Sequence, residues 1–305
     1  MAISRLLLEL ISCLFIGYNL GKKYPDYSSE ISSPLIAYGI PLSLTGLLLK
    51  IGLNSNLLNG MLMSLLVISI LMLISLVIIK VTNKSLNRCL FLGSFFGNSG
   101  YIGIPIALSL LPNDFLSLSM GYDLGATLLV WLLGPYLLTD TFKCTSAISS
   151  FYDFSSVLFS SPAVKGLLAT LIILLTPWSY QIGYLLWFPS RVIIILAIVI
   201  VGMRLSFLSS SNKSFFVTIL PSLKVSLILK LFALPALMWT LCDALNFSSL
   251  SRSALVLQAG TPTAISVALL AEASNYEKES ASSLVFSSTI ISLITIPFWA
   301  LILNL

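Results

Sequence analysis

The 305-residue sequence contains no histidine, only four cysteines, and charged residues at 9%. Without histidine the commonest proton shuttle and metal ligand is missing, so any proton coupling must run through carboxylates or lysines. Cys13, Cys89, Cys144 and Cys242 lie far apart with no Cys-x-x-Cys pair, which argues against a zinc site or a disulfide framework and for packing roles. The scarcity of charge stands beside 57% hydrophobic residues and a mean hydropathy of +1.03, which leaves too little polar surface for a soluble globule of this length. The glycine series Gly97, Gly100 and Gly103 lacks the Gly-Lys-Ser/Thr ending of a phosphate loop, so no nucleotide motif is present. The absence of histidine and of a paired acidic metal motif speaks against a membrane enzyme. No cofactor and no metal are implied.

What is there is a series of apolar intervals, each near the ~20 residues that ~1.5 Å per residue needs to cross ~30 Å of hydrocarbon. The first runs from Leu6 to Leu20 and is followed by Gly21-Lys22-Lys23 rather than a small-residue cleavage site, so it is read as an uncleaved span. Four more follow at 34–51, 61–79, 88–111 and 115–138. A more polar stretch over 140–161 separates these from five further intervals at 162–178, 182–205, 215–242, 253–272 and 280–303. The predicted fold is all-α with ten spans, and the domains are residues 1–139, a short cytoplasmic linker at 140–161, and residues 162–305.

One motif appears in both halves. Gly103-Ile104-Pro105-Ile106-Ala107-Leu108-Ser109 returns as Gly260-Thr261-Pro262-Thr263-Ala264-Ile265-Ser266, with the same spacing of Gly, Pro, Ala and Ser. Proline removes a backbone N-H and clashes with the carbonyl one turn earlier, so the fourth and ninth spans are predicted to break at Pro105 and Pro262. Five spans per half make the second repeat enter the membrane inverted. With the N-terminus outside, the inner ends carry Lys22, Lys23, Lys80, Lys84, Arg88, Lys143, Lys165, Arg204, Lys213, Lys224 and Lys278, and the outer ends only Arg5, Lys50, Arg191 and Arg252. That excess puts both termini outside the cytoplasm. The net charge of +5 is therefore topology and no nucleic-acid footprint.

Discontinuous helices at matching places in two repeats point to a substrate site near the bilayer midplane. The N-H groups that open a half-helix lack intrahelical partners and carry the positive end of the dipole, which favours an anion. The candidate binding residues are Asn98, Ser99, Gly103 and Pro105 in the first crossover and Gln258, Gly260, Thr261, Pro262 and Thr263 in the second. Asn98 is expected to touch the anionic group directly, the glycines after it unwinding the chain toward the break. Among the ionisable residues, Asp123 is either interfacial or a coupling carboxylate, Lys224 is expected to snorkel, and Lys230 is the candidate for a buried partner. Arg191 is either an outer anchor or a charge inside the seventh span. Gly93 with Gly97, and Gly121 with Gly125, read as small-xxx-small packing faces.

The run from Gly97 to Pro105, with Asn98 seven residues before Gly-Ile-Pro ends, resembles the auxin efflux carrier family, which includes the plant PIN carriers and bacterial relatives. Ala259-Gly260-Thr261-Pro262 and the ten spans extend the resemblance over nearly the whole chain, and Tyr122-Asp123-Leu124-Gly125 and Gly202-Met203-Arg204-Leu205 resemble family patterns more weakly. The resemblance implies two inverted five-helix repeats with crossed broken helices, an elevator-type fold like that of bile-acid symporters and sodium/proton antiporters. By that resemblance spans one, two, six and seven form a scaffold, also the candidate face for a homodimer, and spans three to five and eight to ten form a mobile core. The long cytoplasmic loop of PIN carriers is absent, so a bacterial-type member is implied. The function that follows is membrane transport of a small organic anion, by facilitated or ion-coupled alternating access in the cell membrane. The alternatives are a proton- or sodium-coupled carrier of the same fold and a transporter-like sensor.

Overall fold

The computed structural model describes residues 2–24, 30, 34–83, 87–138, 162–210, 222–274 and 276–305. The expected linker at 140–161, together with Lys84, Lys143, Cys144 and Lys213, lies outside the described residues. The helices in chain order are α1 (Ala2–Lys23), α2 (Ile40–Ile51), α3 (Ser55–Thr82), α4 (Arg88–Gly93), α5 (Ile104–Leu110), α6 (Leu116–Leu138), α7 (Pro162–Leu174) and α8 (Ser179–Ser210). They continue with α9 (Ser222–Ala244), then α10 (Ser249–Ala259), α11 (Ile265–Ala273) and α12 (Lys278–Ile302). Five of these stretches are long and apolar enough to cross a membrane: Ser55–Thr82, Asn113–Gly134, Ser179–Ser206, Ser222–Ala244 and Lys278–Ile302. Their outward side chains are large and apolar, among them Leu73, Val77, Ile294 and Leu301, as a lipid solvent permits.

Three helices widen just ahead of a proline. The wide turns Leu35–Gly39, Ser99–Gly103 and Leu229–Ala233 precede Pro41, Pro105 and Pro235. In each, the residue before the proline donates its N-H to the carbonyl five positions back: Ile40 to Leu35, Ile104 to Ser99 and Leu234 to Leu229. The cause is common to all three. A proline offers no N-H to the carbonyl four back and its ring crowds that oxygen, so the turn opens to a π-type spacing. In α9 the carbonyl orphaned by Pro235 is that of Leu231, and the indole Nε1 of Trp299 donates to it at 2.9 Å.

The chain divides into two compact units, neither of which is a sequential half. One contains α1 from Ser4 on, α2, α7 and α8. Within it α2 packs on both α7 and α8, and hydroxyls tie it in place: Ser43 Oγ donates to Ser190 O at 3.0 Å and Thr45 Oγ1 to Gly166 O at 3.0 Å. The other unit contains α3 from Asn56 on, α4 to α6 and α9 to α12. There Gly121 and Gly125 of α6 lie against α3, where an added Cβ would come within 2.0 Å of Leu57 O and 2.1 Å of Ser64 Oγ, so this pair is a packing face. Gly93 and Gly97 are not such a pair, because α4 ends at Gly93 and the chain is extended by Gly97. At the turn between α9 and α10, Arg252 pairs with Asp243 and lies 4.8 Å from the ring centroid of Trp239.

Candidate functional site

The site is built where two interrupted helical segments meet. The first segment is α4, a break at residues 94–98, and a continuous half-helix made of the wide turn Ser99–Gly103 and α5. The second is α10, a break at residues 260–264, and α11. The two breaks pair as short antiparallel strands: Asn98 N donates to Pro262 O at 2.7 Å and Ala264 N to Phe96 O at 2.9 Å, with Gly97 opposite Thr263. The backbone groups that a broken helix exposes are thus satisfied partly by the other break. Gly97 and Thr263 form the non-hydrogen-bonded pair, the position of closest Cα approach in an antiparallel ladder. An ideal Cβ at Gly97 would stand 2.3 Å from Thr261 Oγ1 and 2.9 Å from Lys230 Nζ.

The expected break at Pro105 is therefore a correction. Pro105 is the second residue of α5 and widens the turn before it. The half-helix that begins at Ser99 runs on through Pro105, because the wide turn before it accommodates the ring and the missing N-H. The interruption lies upstream, in Ser94-Phe95-Phe96-Gly97-Asn98. Pro262, by contrast, stands inside its break and contributes only the carbonyl that Asn98 uses. The two copies of the Gly-x-Pro-x-Ala-x-Ser motif hence occupy different places, one in a half-helix and one in a crossing strand.

Each polar residue named from sequence has a definite position here. Asn98 is buried and stands at the N-cap of the half-helix, with its O accepting from both Ile102 N and Gly103 N. The stretch after it is helical rather than unwound, so Asn98 reaches the break because it belongs to it. Its Nδ2, and both Nε2 and Oε1 of the fully buried Gln258, find no hydrogen-bond partner among the described residues. Gln258 reaches Gly103, where an added Cβ would stand 2.0 Å from Oε1. Thr261 Oγ1 donates to Gln258 O at 2.7 Å. Thr263 is the hub of the second break, its Oγ1 donating to Gly93 O at 3.0 Å and its N to Ser288 Oγ at 3.0 Å. Gly260 is roomy, the nearest atom to an added Cβ being 3.4 Å away.

The charges settle on the helix poles. Asp123 is buried; it accepts from Ser99 Oγ at 2.7 Å and lies 3.2 Å from an ideal Cβ on Gly100. A carboxylate is thereby held beside the first residues of the half-helix, where the dipole is positive. Lys230 is wholly buried, and its Nζ donates at 2.5 Å to Ala259 O, the last residue of α10, where the dipole is negative. Among the described residues Asp123 and Lys230 are not an ion pair. Lys224 is exposed. Arg191 is exposed on α8, over the ring of Trp187 at 5.7 Å.

Ser288 and Ser226 were not singled out from sequence. Ser226 Oγ donates to Leu90 O at 3.2 Å, serving α4 near its C-terminal end. The signal available was the run of small hydroxyl residues in α12, Ser283, Ser287, Ser288, Thr289, Ser292 and Thr295, all buried. In an otherwise apolar span such a face marks the side turned to polar neighbours.

Residues 158–300 match the family described as membrane transport protein. Over 206 residues, 68% of this chain and 65% of the relative, the sequence is 27% identical to an uncharacterized transporter of Methanothermobacter thermautotrophicus. The aligned part thus spans slightly less than two thirds of that relative. Over 231 residues, 74% of this chain and 71% of the relative, it is 24% identical to an uncharacterized transporter of Methanocaldococcus jannaschii. The interrupted apolar helices, the matched second half and these two relatives agree with the resemblance carried by the run from Gly97 to Pro105, and over residues 158–300 the chain is similar to the membrane transport protein family.

Proposed function

We propose that the protein is a secondary transporter of a small organic anion, a carboxylate, by alternating access around the crossing of residues 94–98 with 260–264. The observation that carries this reading is the cluster of buried amides without partners, Asn98 Nδ2 and the Gln258 carboxamide, beside two paired breaks. A buried polar group left unmade costs about 1 to 3 kcal/mol, and a ligand that supplies the missing partner recovers that cost. A neutral donor suits a carrier because it holds a carboxylate without the tight ion pair that slows release. The ten-span inverted-repeat and elevator reading is supported by the grouping of α3 to α6 with α9 to α12, separate from α1, α2, α7 and α8. Both termini outside the cytoplasm, a cell-membrane location and a homodimer through the second group belong to the same proposal.

One observation favours a second reading, an ion-coupled carrier. Asp123 is a buried carboxylate without an ion pair among the described residues, the kind of group that binds a coupling proton or sodium ion. The deciding experiment is uptake of a panel of radiolabelled carboxylates into proteoliposomes, with and without proton or sodium gradients. Saturable uptake without a gradient supports the facilitated anion carrier, and uptake only with a gradient supports the coupled one. Saturable binding without flux would identify a sensor. Asn98→Asp is expected to lower carboxylate affinity further than Asn98→Ala, through like-charge repulsion.

A further inference from the structure

Lys230 makes a contact that the transport reading does not use. The side chain is wholly buried on the wide turn of α9, and its Nζ donates at 2.5 Å to Ala259 O. That carbonyl closes a half-helix, where unpaired oxygens and the negative pole of the dipole coincide. A hydroxyl lies close by. Thr261 Oγ1 donates its hydrogen to Gln258 O at 2.7 Å and keeps its lone pairs. Gly97 opens the space, since an ideal Cβ there would meet Thr261 Oγ1 at 2.3 Å and Lys230 Nζ at 2.9 Å, so the hydroxyl and the amine flank one glycine. Half-helix C-termini and unwound carbonyls at a membrane crossing are the groups that hold a monovalent cation in transporters. Here the group on the carbonyl is attached to the chain.

We propose that the Lys230 side chain is a tethered cation standing in the place of an exchangeable sodium or potassium ion, so that the protein is indifferent to alkali cations and acquires a site for them when the side chain is shortened. The claim of a site stands on the geometry at Ala259; only its corollary, flux independent of sodium, rests on the proposed transport at the same crossing. Truncation leaves Ala259 O and the Thr261 Oγ1 beside Gly97 without the built-in positive charge, and these oxygens then hold a free cation.

The test is thermal unfolding of the full-length protein in detergent, in sodium, potassium, methylammonium or choline chloride, with no substrate added. The wild type is expected to melt at one temperature in all four salts. Lys230→Ala is expected to melt lower in choline and to regain about 5 °C in sodium or methylammonium, as binding to the folded state stabilises it by mass action. Lys230→Met, which fills the space with an apolar chain, is expected to melt low in every salt. If Lys230→Ala does not fold, Lys230→Gln, which keeps a donor and removes the charge, is read instead and shows the same rise, smaller. A sodium-dependent rise in the wild type, or no salt-dependent rise in the shortened variant, overturns the proposal. Because no substrate enters this measurement, its outcome is independent of whether any carboxylate is transported.

Discussion

The two breaks do the same job with different residues. In the first, Ser94-Phe95-Phe96-Gly97-Asn98 holds no proline, and the helix stops where large buried rings, Phe95 and Phe96, give way to a glycine that must pass close to another backbone. In the second, Gly260-Thr261-Pro262-Thr263-Ala264 carries the proline inside the strand and keeps space around its glycine. Hydrogen-bond supply differs in the same way. The second break gives two hydroxyls, from Thr261 and Thr263, to carbonyls of α10 and α4, whereas the first gives one, from Ser94 to Leu90 O of α4, and adds an amide with an unpartnered donor. The second break is the structural clamp of the crossing, and the first carries the unpartnered donor on which the proposed anion site rests.

That contrast is most severely tested at the glycines. Gly97→Ala forces a Cβ into Thr261 and Lys230 and is expected to lower stability by about 3 kcal/mol, the upper range for overpacking, read as the detergent melting temperature. Next in size is Asn98→Ala, expected to weaken carboxylate binding about 10- to 100-fold, since ~1.4 kcal/mol is tenfold and a hydrogen bond to a charged group contributes about 1.5 to 3 kcal/mol. Its melting temperature without substrate should not fall, because the deleted donor has no hydrogen-bond partner among the described residues; unchanged affinity in a stable variant would falsify the direct-contact role. Thr263→Val leaves Gly93 O without its donor and is expected to cost about 1 to 1.5 kcal/mol with little effect on affinity, the reverse of the Asn98 pattern. Gly260→Ala should change stability by less than about 0.5 kcal/mol. Equal damage from the two glycine variants would erase the distinction between the breaks.

Much of this was legible in the residues. Apolar runs of membrane length, two interrupted segments and the polar candidates around them follow from composition and from Gly and Pro, which act locally. The place of the first interruption was not legible, because the repeated motif draws the eye to Pro105. A proline's effect depends on where the helix starts, and that start is fixed by pairing with residues more than 160 positions away. The same holds for Asp123 and Lys230. Sequence marks them as costly charges, but the groups that hold them, Ser99 Oγ and Ala259 O, are brought there by the crossing.

The bond from Trp299 to the carbonyl that Pro235 orphans has an optical consequence. The indole is nearly shielded from solvent, its Nε1 is engaged, and it lies 6.4 Å from the ring of Trp239. Its emission belongs at the short-wavelength end of the tryptophan range, while Trp178, largely exposed, emits from the molecule's surroundings. With Trp131, Trp178, Trp187 and Trp239 replaced by phenylalanine, a red shift on adding ligand would report that α9 and α12 have parted, without any label attached to the protein.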